Sequence, residues 1–270
     1  MVQHTTYVDA GASAIDDTTE SVKVSVVGDI NTSHVGDFNI TYVAKDKAGN
    51  IAKATRKVVV IEDINLTHNG TVYGIVASPY TGKVWLDRNL GARHVCTTSN
   101  DVLCYGDYYQ WGRNYDGHQD MYSSQTTIQA TDINDTNSTY IVAHIDWVST
   151  DKSGDIRSSN WSKTDGSSIC PLGFRVPTLA EFKAELFDFK TLKIENTEDA
   201  FNSFLRLSST GLRLDSTGDM RHVGIVGYYR TLSAHSLEVN AIFFGEDGVG
   251  IGKNKLRSVG EPIRCINVNF

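Results

Sequence analysis

Proline and methionine are scarce in these 270 residues, with four of the first and three of the second. No run of about 18 apolar residues occurs, so nothing reads as a membrane-crossing helix and no membrane insertion is expected. Nor does a charged start lead into an apolar stretch, so no signal peptide is read at the N-terminus. Basic residues are in deficit: Lys plus Arg is 25 against 32 for Asp plus Glu, a formal charge of −7. That balance argues against a nucleic-acid partner, which needs a basic footprint, and it leaves carboxylates over for hard cations such as calcium. Catalytic signatures are missing too. HExxH, GxSxG and the Walker loop do not occur, and Gly248-Val-Gly-Ile-Gly252 follows a strand without opening a helix. His94, His118, His222 and His235 lack metal-ligand spacing and read as structural. We therefore expect a protein that is not an enzyme. What is present, 40% hydrophobic and 21% charged residues, is enough for a packed core, and the length allows one large domain or two ordinary ones.

The four cysteines are Cys96, Cys104, Cys170 and Cys265. None forms a CxxC pair, so a structural zinc site is not expected. Three connectivities are open. We favour 96–104, across a short polar loop, with 170–265 bracketing the C-terminal third; four buried thiols in a reducing compartment are the alternative. Closing the long loop would restrict the unfolded chain by roughly 4–5 kcal/mol. Bridged cysteines imply an oxidising, extracellular location, and without a leader the chain would then be a monomeric module from a longer secreted protein.

Residues 1–63 read as all-β. Val22–Val27, Phe38–Val43 and Lys57–Ile61 alternate as strands, separated by turn signals at Gly28-Asp29, His34-Val-Gly36 and Asp46-Lys-Ala-Gly-Asn50, a pattern for a small sandwich. The polar stretch 62–70 reads as a linker, which divides the chain into 1–63 and 64–270. Tyr7-Val-Asp-Ala-Gly-Ala12, Asn31-Thr-Ser-His-Val-Gly36, Asp46-Lys-Ala-Gly-Asn50 and Ala54-Thr-Arg-Lys-Val-Val-Val60 together resemble the bacterial Ig-like repeats of surface proteins, a resemblance that implies a spacer.

The remainder mixes patterns. Val72–Val76 and Lys83–Leu86 read as a hairpin around Ser78-Pro-Tyr-Thr-Gly82. Residues 113–168 are long, polar and without periodicity, a stretch we expect to be organised by ions. Thr178 and Glu181 form a capping box opening a helix whose apolar face is Leu179, Phe182, Leu186 and Phe189. A second helix is expected around Thr197–Leu205, with Ala200, Phe201 and Phe204 inward. Strands return at Gly224–Arg230, Ala241–Gly245 and Ile263–Val268. Two helices on an irregular antiparallel sheet make an α+β domain.

Five motifs in order, Thr81-Gly-Lys-Val-Trp-Leu-Asp-Arg-Asn-Leu-Gly-Ala92, Cys104-Tyr-Gly-Asp-Tyr-Tyr-Gln-Trp-Gly-Arg113, Asp116-Gly-His118, Cys170-Pro-Leu-Gly-Phe-Arg-Val-Pro-Thr178 and Ile263-Arg-Cys265, resemble the Fibrobacter succinogenes major paralogous domain over about residues 71–267. That domain is similar to the C-type-lectin-like group, in which a bridge ties the core to the last strand; the resemblance thus implies Cys170–Cys265. The chain departs from it at Gly227-Tyr-Tyr-Arg-Thr231, where members carry Trp-Ser after Gly-Tyr-Tyr. With an Ig-like spacer ahead of it, the domain also resembles the calcium-dependent peptide-binding module of repeats-in-toxin (RTX) bacterial adhesins. This resemblance implies cell adhesion at the cell surface, through recognition of an extended peptide on the surface proteins of a host or neighbouring cell; a carbohydrate-binding lectin-like module with a glycan partner and a non-binding structural surface domain are the alternatives.

The fold expected is therefore an N-terminal Ig-like sandwich followed by an α+β C-type-lectin-like domain. Calcium is the expected cofactor, since oxygen-bearing side chains gather at Asp116 and Asp120, at Asp132, Asp135 and Asn137, at Asp151 and Asp155, and at Glu246 and Asp247, though none has EF-hand spacing. For the ligand we look to Tyr228, Tyr229 and Arg230, because an exposed Arg with two tyrosines can clamp a carboxylate, and to Tyr108 and Arg113 in the aromatic motif. Trp111 reads as core.

Overall fold

The structure is a computed structural model describing residues 1–17, 21–134, 137–187, 194–235, 238–246 and 248–268. The chain divides into two compact units, Met1–Ile64 and Asn65–Phe270.

In the first unit the strands Val24–Val27, Gly36–Lys45 and Ile51–Val60 form an antiparallel sheet with Gly36–Lys45 in the centre. The long hairpin pairs without interruption from Gly36 opposite Val60 to Lys45 opposite Ile51. Its turn is closed by Asp46, whose carboxylate accepts from the Asn50 amide N–H at 2.7 Å and from Asn50 Nδ2 at 2.6 Å, while Gly49 takes a positive φ of 96° that a side chain would resist. Ile40, Tyr42, Val58, Val60 and Ile61 fill the core side. Ala14–Ile15 pairs with Ser21–Val22 and Val2 bridges Ile61 in parallel, and Asp9 receives both the Tyr42 hydroxyl and the Arg56 guanidinium.

The second unit is a set of short sheets. Phe174–Arg175, Ile266–Asn267, Val84–Leu86 and Ile75–Ala77 make one antiparallel sheet in that order; Tyr109–Gln110, Gly260–Glu261, Leu212–Arg213 and Met220–Arg221 make a second. A longer meander, Gly227–His235, Glu238–Gly245 and Gly248–Leu256, makes a third. Gln125–Thr126 and Tyr140–Ile141 pair in parallel. Three helices are described: α1 (Asp155–Trp161), α2 (Leu179–Leu186) and α3 (Thr197–Asn202). The main core gathers Trp85, Phe182, Leu186, Tyr229, Ile242, Phe244 and Ile266.

Helix α2 opens with the expected capping box, Thr178 and Glu181 each bonding the other's backbone N–H. Glu181 also takes Arg175 in a forked pair at 2.7 and 2.8 Å. Burial works against its charge, but Arg175 and the Thr178 donors win and hold the carboxyl at about 2. The helix ends at Leu186; Phe189, expected on its apolar face, lies outside the described residues. Helix α3 is shorter than expected, since Ser203 turns extended at its C-cap. Helix α1 was not expected. It starts after Gly154, which supplies no side chain, and its first amides are capped from upstream by Asp151, accepting from Ile156 N at 3.2 Å and Arg157 N at 3.1 Å.

The cysteines pair as Cys96–Cys104 and Cys170–Cys265. The second bridge ties the segment leading into the strand Phe174–Arg175 to the one leading into Ile266–Asn267, and those strands are themselves paired.

Candidate functional site

The five expected ligand residues are interior. Arg230 is fully buried and paired with an equally buried Glu261, Nε to Oε2 at 3.2 Å, and it donates through Nη2 to the Val259 carbonyl at 2.6 Å. Tyr229 lies in the main core with its hydroxyl accepting the Ser208 amide N–H at 2.8 Å. Tyr228 packs with Leu212 and Val259. Tyr108 donates to the Thr210 carbonyl at 2.6 Å, and Arg113 is buried against Asp116, Gln110 and the Thr139 carbonyl. The expectation that these five face a ligand is corrected: each polar tip is held by the protein itself. Exposure was assumed for Arg230, yet its side chain is buried and the distant Glu261 carboxylate pairs with it.

The acidic side chains of 113–168 do gather positive charge, and among the described residues that charge is guanidinium. Asp146 takes both Nη atoms of Arg157, at 2.6 and 2.8 Å, and Nη1 of Arg257 at 3.1 Å. Asp151 takes Arg157 Nε at 3.0 Å. Both arginines lie over the Trp111 ring, at 5.3 and 5.0 Å from its centre, and Trp147 flanks Arg157. Planar guanidinium satisfies several acceptors at once while stacking on indole, which suits it to a buried charge cluster. Asp116 is likewise engaged, by Arg113 at 2.9 Å and by Nδ1 of the buried His118 at 2.5 Å. Burial raises the Asp116 carboxyl, but His118 and Arg113 outweigh that and hold it low. His118 is driven the other way. Burial pushes it down to about 4, so the ring is neutral, with Nδ1–H donating to Asp116 and Nε2 accepting from the Gln110 amide at 3.2 Å.

The other expected calcium ligands are dispersed. Asp120, Asp132, Asn137, Asp155 and Glu246 are exposed; Asp132 accepts from Asn134, and Asn137 from Thr139. Asp135 and Asp247 lie outside the described residues. No group of three or more His, Cys, Asp or Glu converges as a metal site among the described residues.

A cavity of about 520 Å³ is lined by Ile133, Asn134, Asp155, Ile156, Ser159, Asn160 and Lys163. Helix α1 supplies most of this wall, because its buried face carries Arg157 and Trp161 and turns the intervening residues outward. The lining combines a carboxylate, an ammonium, two amides, a hydroxyl and two isoleucines. Asn160 Nδ2 is committed to Asn114 Oδ1 at 2.6 Å and Asn134 Nδ2 to Asp132 at 3.1 Å, which orients each amide. Of these residues the sequence pointed only to Asp155; the helix that supplies Ile156, Ser159 and Asn160 beside it has no side-chain N-cap.

Residues 2–60 match the family model of the bacterial surface protein Ig-like domain. No curated protein matches the chain. Among solved structures, the crystal structure of the lipoprotein BT2262 from Bacteroides thetaiotaomicron is similar at a TM-score of 0.22 and 15% identity, over 32% of this chain and 54% of that one. The match thus spans about half of that lipoprotein. A likeness at this level fixes neither fold nor function. The family match gives the N-terminal unit a bacterial surface character, in keeping with its sheet. No described helix is long and apolar enough to cross a membrane.

Proposed function

We propose that this protein is a non-enzymatic, extracellular recognition module of a bacterial surface adhesin. In this reading the Ig-like unit is a spacer, and the second unit is C-type-lectin-like and binds peptide at a target-cell surface. The observation that carries the reading is the cavity beside α1. A pocket of this size with a few placed polar groups is the usual form of a ligand site, and its chemistry matches a peptide end: Lys163 for a carboxylate, Asn134 and Asn160 for backbone groups, Ile133 and Ile156 for an apolar side chain. Two further features support it. Both disulfides belong in an oxidising compartment, and with all four cysteines bridged no thiol is left for cysteine chemistry.

Calcium belongs to the proposal in a reduced form. Asp155 with the amide oxygens of Asn134 and Asn160 is hard-ligand chemistry, but a single carboxylate makes a weak site, with Kd on the order of 10⁻⁴–10⁻³ M.

The test is binding to a panel of short peptides with free and amidated C-termini, read by fluorescence anisotropy in millimolar calcium and in chelator. Lys163 and Ile156 are exposed, so Lys163→Glu and Ile156→Asp should fold normally and lose at least tenfold in affinity. Peptides that bind both variants as tightly as the parent would remove the reading. A glycan panel in place of peptides separates the sugar-binding alternative.

A further inference from the structure

A second, smaller cavity of about 130 Å³ lies elsewhere in the second unit, lined by His68, Asn69, Tyr73, Asp107, Tyr109 and Tyr115, with Thr71 and the Leu90–Gly91 turn closing it. Its walls are polar and aromatic, with Leu90 the one aliphatic side chain and neither lysine nor arginine among them.

Asp107 breaks the rule that the rest of this unit follows. Asp116, Asp146, Asp151, Glu181 and Glu261 each hold an arginine. Glu185, buried without one, accepts from the Ser78 and Thr81 hydroxyls and from Trp85 Nε1. Asp107 has neither arrangement. Its one side-chain hydrogen bond among the described residues is a long one, 3.4 Å from the Tyr109 hydroxyl, and no Lys, Arg or His pairs with it. Burial, reinforced by the charge of Asp120, pushes its carboxyl up to about 7. A half-enclosed carboxylate is costly to keep without a counter-charge.

The local backbone is arranged to hold that carboxylate where it is. The Asp107 amide N–H bonds the Leu90 carbonyl at 2.8 Å, and the Gly91 amide N–H donates to the Tyr73 hydroxyl at 2.8 Å. Gly91 has a φ of 76°, and a Cβ there would lie 2.3–2.5 Å from the Asp107 carboxylate. Only glycine leaves room for the acid at this turn. The Asn69-Gly70 turn, with both residues at positive φ, joins the antiparallel strands Leu66–His68 and Thr71–Tyr73, which bring His68, Thr71 and Tyr73 to the cavity.

We infer that this cavity is a binding site for a primary alkylammonium group, with Asp107 as its counter-ion and the tyrosines as its walls. A cavity of about 150 Å³ accepts a guest the size of benzene, so 130 Å³ suits an ammonium with two or three methylenes. The three N–H bonds of such a group match the Asp107 carboxylate and nearby phenol oxygens, and aromatic faces attract the cation. A single carboxylate balances one positive charge, which favours an ammonium over a divalent metal. The guest is either a lysine side chain of another protein or a free small amine; the chemistry is the same. This inference concerns a different site from the peptide cavity and stands or falls separately.

The test uses n-butylammonium chloride on the whole chain, by calorimetric titration and thermal shift, with equal sodium chloride as reference. At pH 8 butylammonium should bind and raise the Tm while sodium does not. Below pH 7 affinity should drop by up to tenfold per pH unit as Asp107 takes a proton. The titratable and charged groups around Asp107 are Tyr73, Tyr109, Tyr115, His68, Asp120 and the Asp87–Arg88 pair near Tyr73. Asp107→Asn should abolish binding; Tyr115→Ala, at a half-exposed rim residue that the fold does not need, should weaken it several-fold. Acetyl-Gly-Lys-Gly-amide against its norleucine analogue tells the two sources apart: binding of the lysine peptide assigns the site to protein lysines, its failure beside a bound butylammonium to free amines. No preference for butylammonium over sodium, or binding unchanged in Asp107→Asn, overturns the inference.

Discussion

In the first unit most of the strand Ile51–Val60 faces water, and Val26, Val27, Ile51 and Val59 are exposed. The second unit instead buries four tryptophans and six arginines to within 2% of full enclosure. The first is held by an unbroken backbone ladder over a thin apolar layer. The second has short strands, and side-chain charge pairs, arginines lying over indole rings and two disulfides connect them. The lesson is that an irregular chain can be ordered by polar side chains when most buried charges find partners: Arg113, Arg157, Arg230 and Arg257 take carboxylates, Arg213 and Arg264 take carbonyl, hydroxyl and amide oxygens; the same carboxylates at the surface would contribute little.

That contrast can be broken most forcefully at the disulfide. Removing Cys170–Cys265 as a double alanine variant should cost the second unit about 4–5 kcal/mol, since the bridge closes a loop of 95 residues. Calorimetry should then show the second unit's transition collapse towards lower temperature while that of the first stays in place. Next comes the charge cluster. Asp146→Ala leaves Arg157 and Arg257 buried beside an apolar patch, and should cost about 3–5 kcal/mol by urea unfolding; loss below 1 kcal/mol would mean the pairs are not what orders 113–168.

The third prediction is a pH slope. His118 titrates near 6.5 when unfolded and at about 4 when folded. Between those values the unfolded chain binds the extra proton, so stability falls as pH drops from 6.5 to about 4, by roughly 3 kcal/mol in all. His118→Gln should flatten the slope. Asp107 contributes with the opposite sign: raised from 3.8 to about 7, it takes stability away as pH rises through that window, and Asp107→Asn should raise the Tm at pH 8. Smaller still, Thr178→Ala should cost about 1 kcal/mol through the lost cap of α2. Smallest, Val26→Thr in the exposed sheet of the first unit should change stability by less than about 0.5 kcal/mol.

Local signals were legible in the chain. The Asp46–Asn50 turn, the Thr178/Glu181 box and the alternation over Phe38–Val43 each follow from chemistry within a few residues, and each is present. The cysteine pairing is as favoured, 96–104 with 170–265. The ligand residues were misjudged because exposure is a long-range property. Arg230 could be read as a surface clamp only while Glu261 was out of view. The segment 113–168 was read only for its oxygen ligands; that its own Arg113, Arg157, Trp147 and Trp161 pack with Trp111 from just upstream and Arg257 from far downstream is a long-range fact that no local pattern carries. Helix α1 escaped notice for a related reason: its amides are capped by Asp151, outside the usual capping position. The boundary near residue 64 and the Ig-like character of residues 2–60 rest on patterns of composition and turn spacing, which a single sequence does carry.

The bridge between Cys170 and Cys265 also sets how the second unit would answer a pull. Tension applied through the chain on either side of it passes across the sulfurs and bypasses the stretch between the two cysteines, which are 95 positions apart. Roughly 330 Å of contour therefore stays out of reach of extension. Helices α2 and α3 and the three-strand meander all lie within that shielded stretch, so under load the unit would lengthen through its first hundred residues while these elements carried no force.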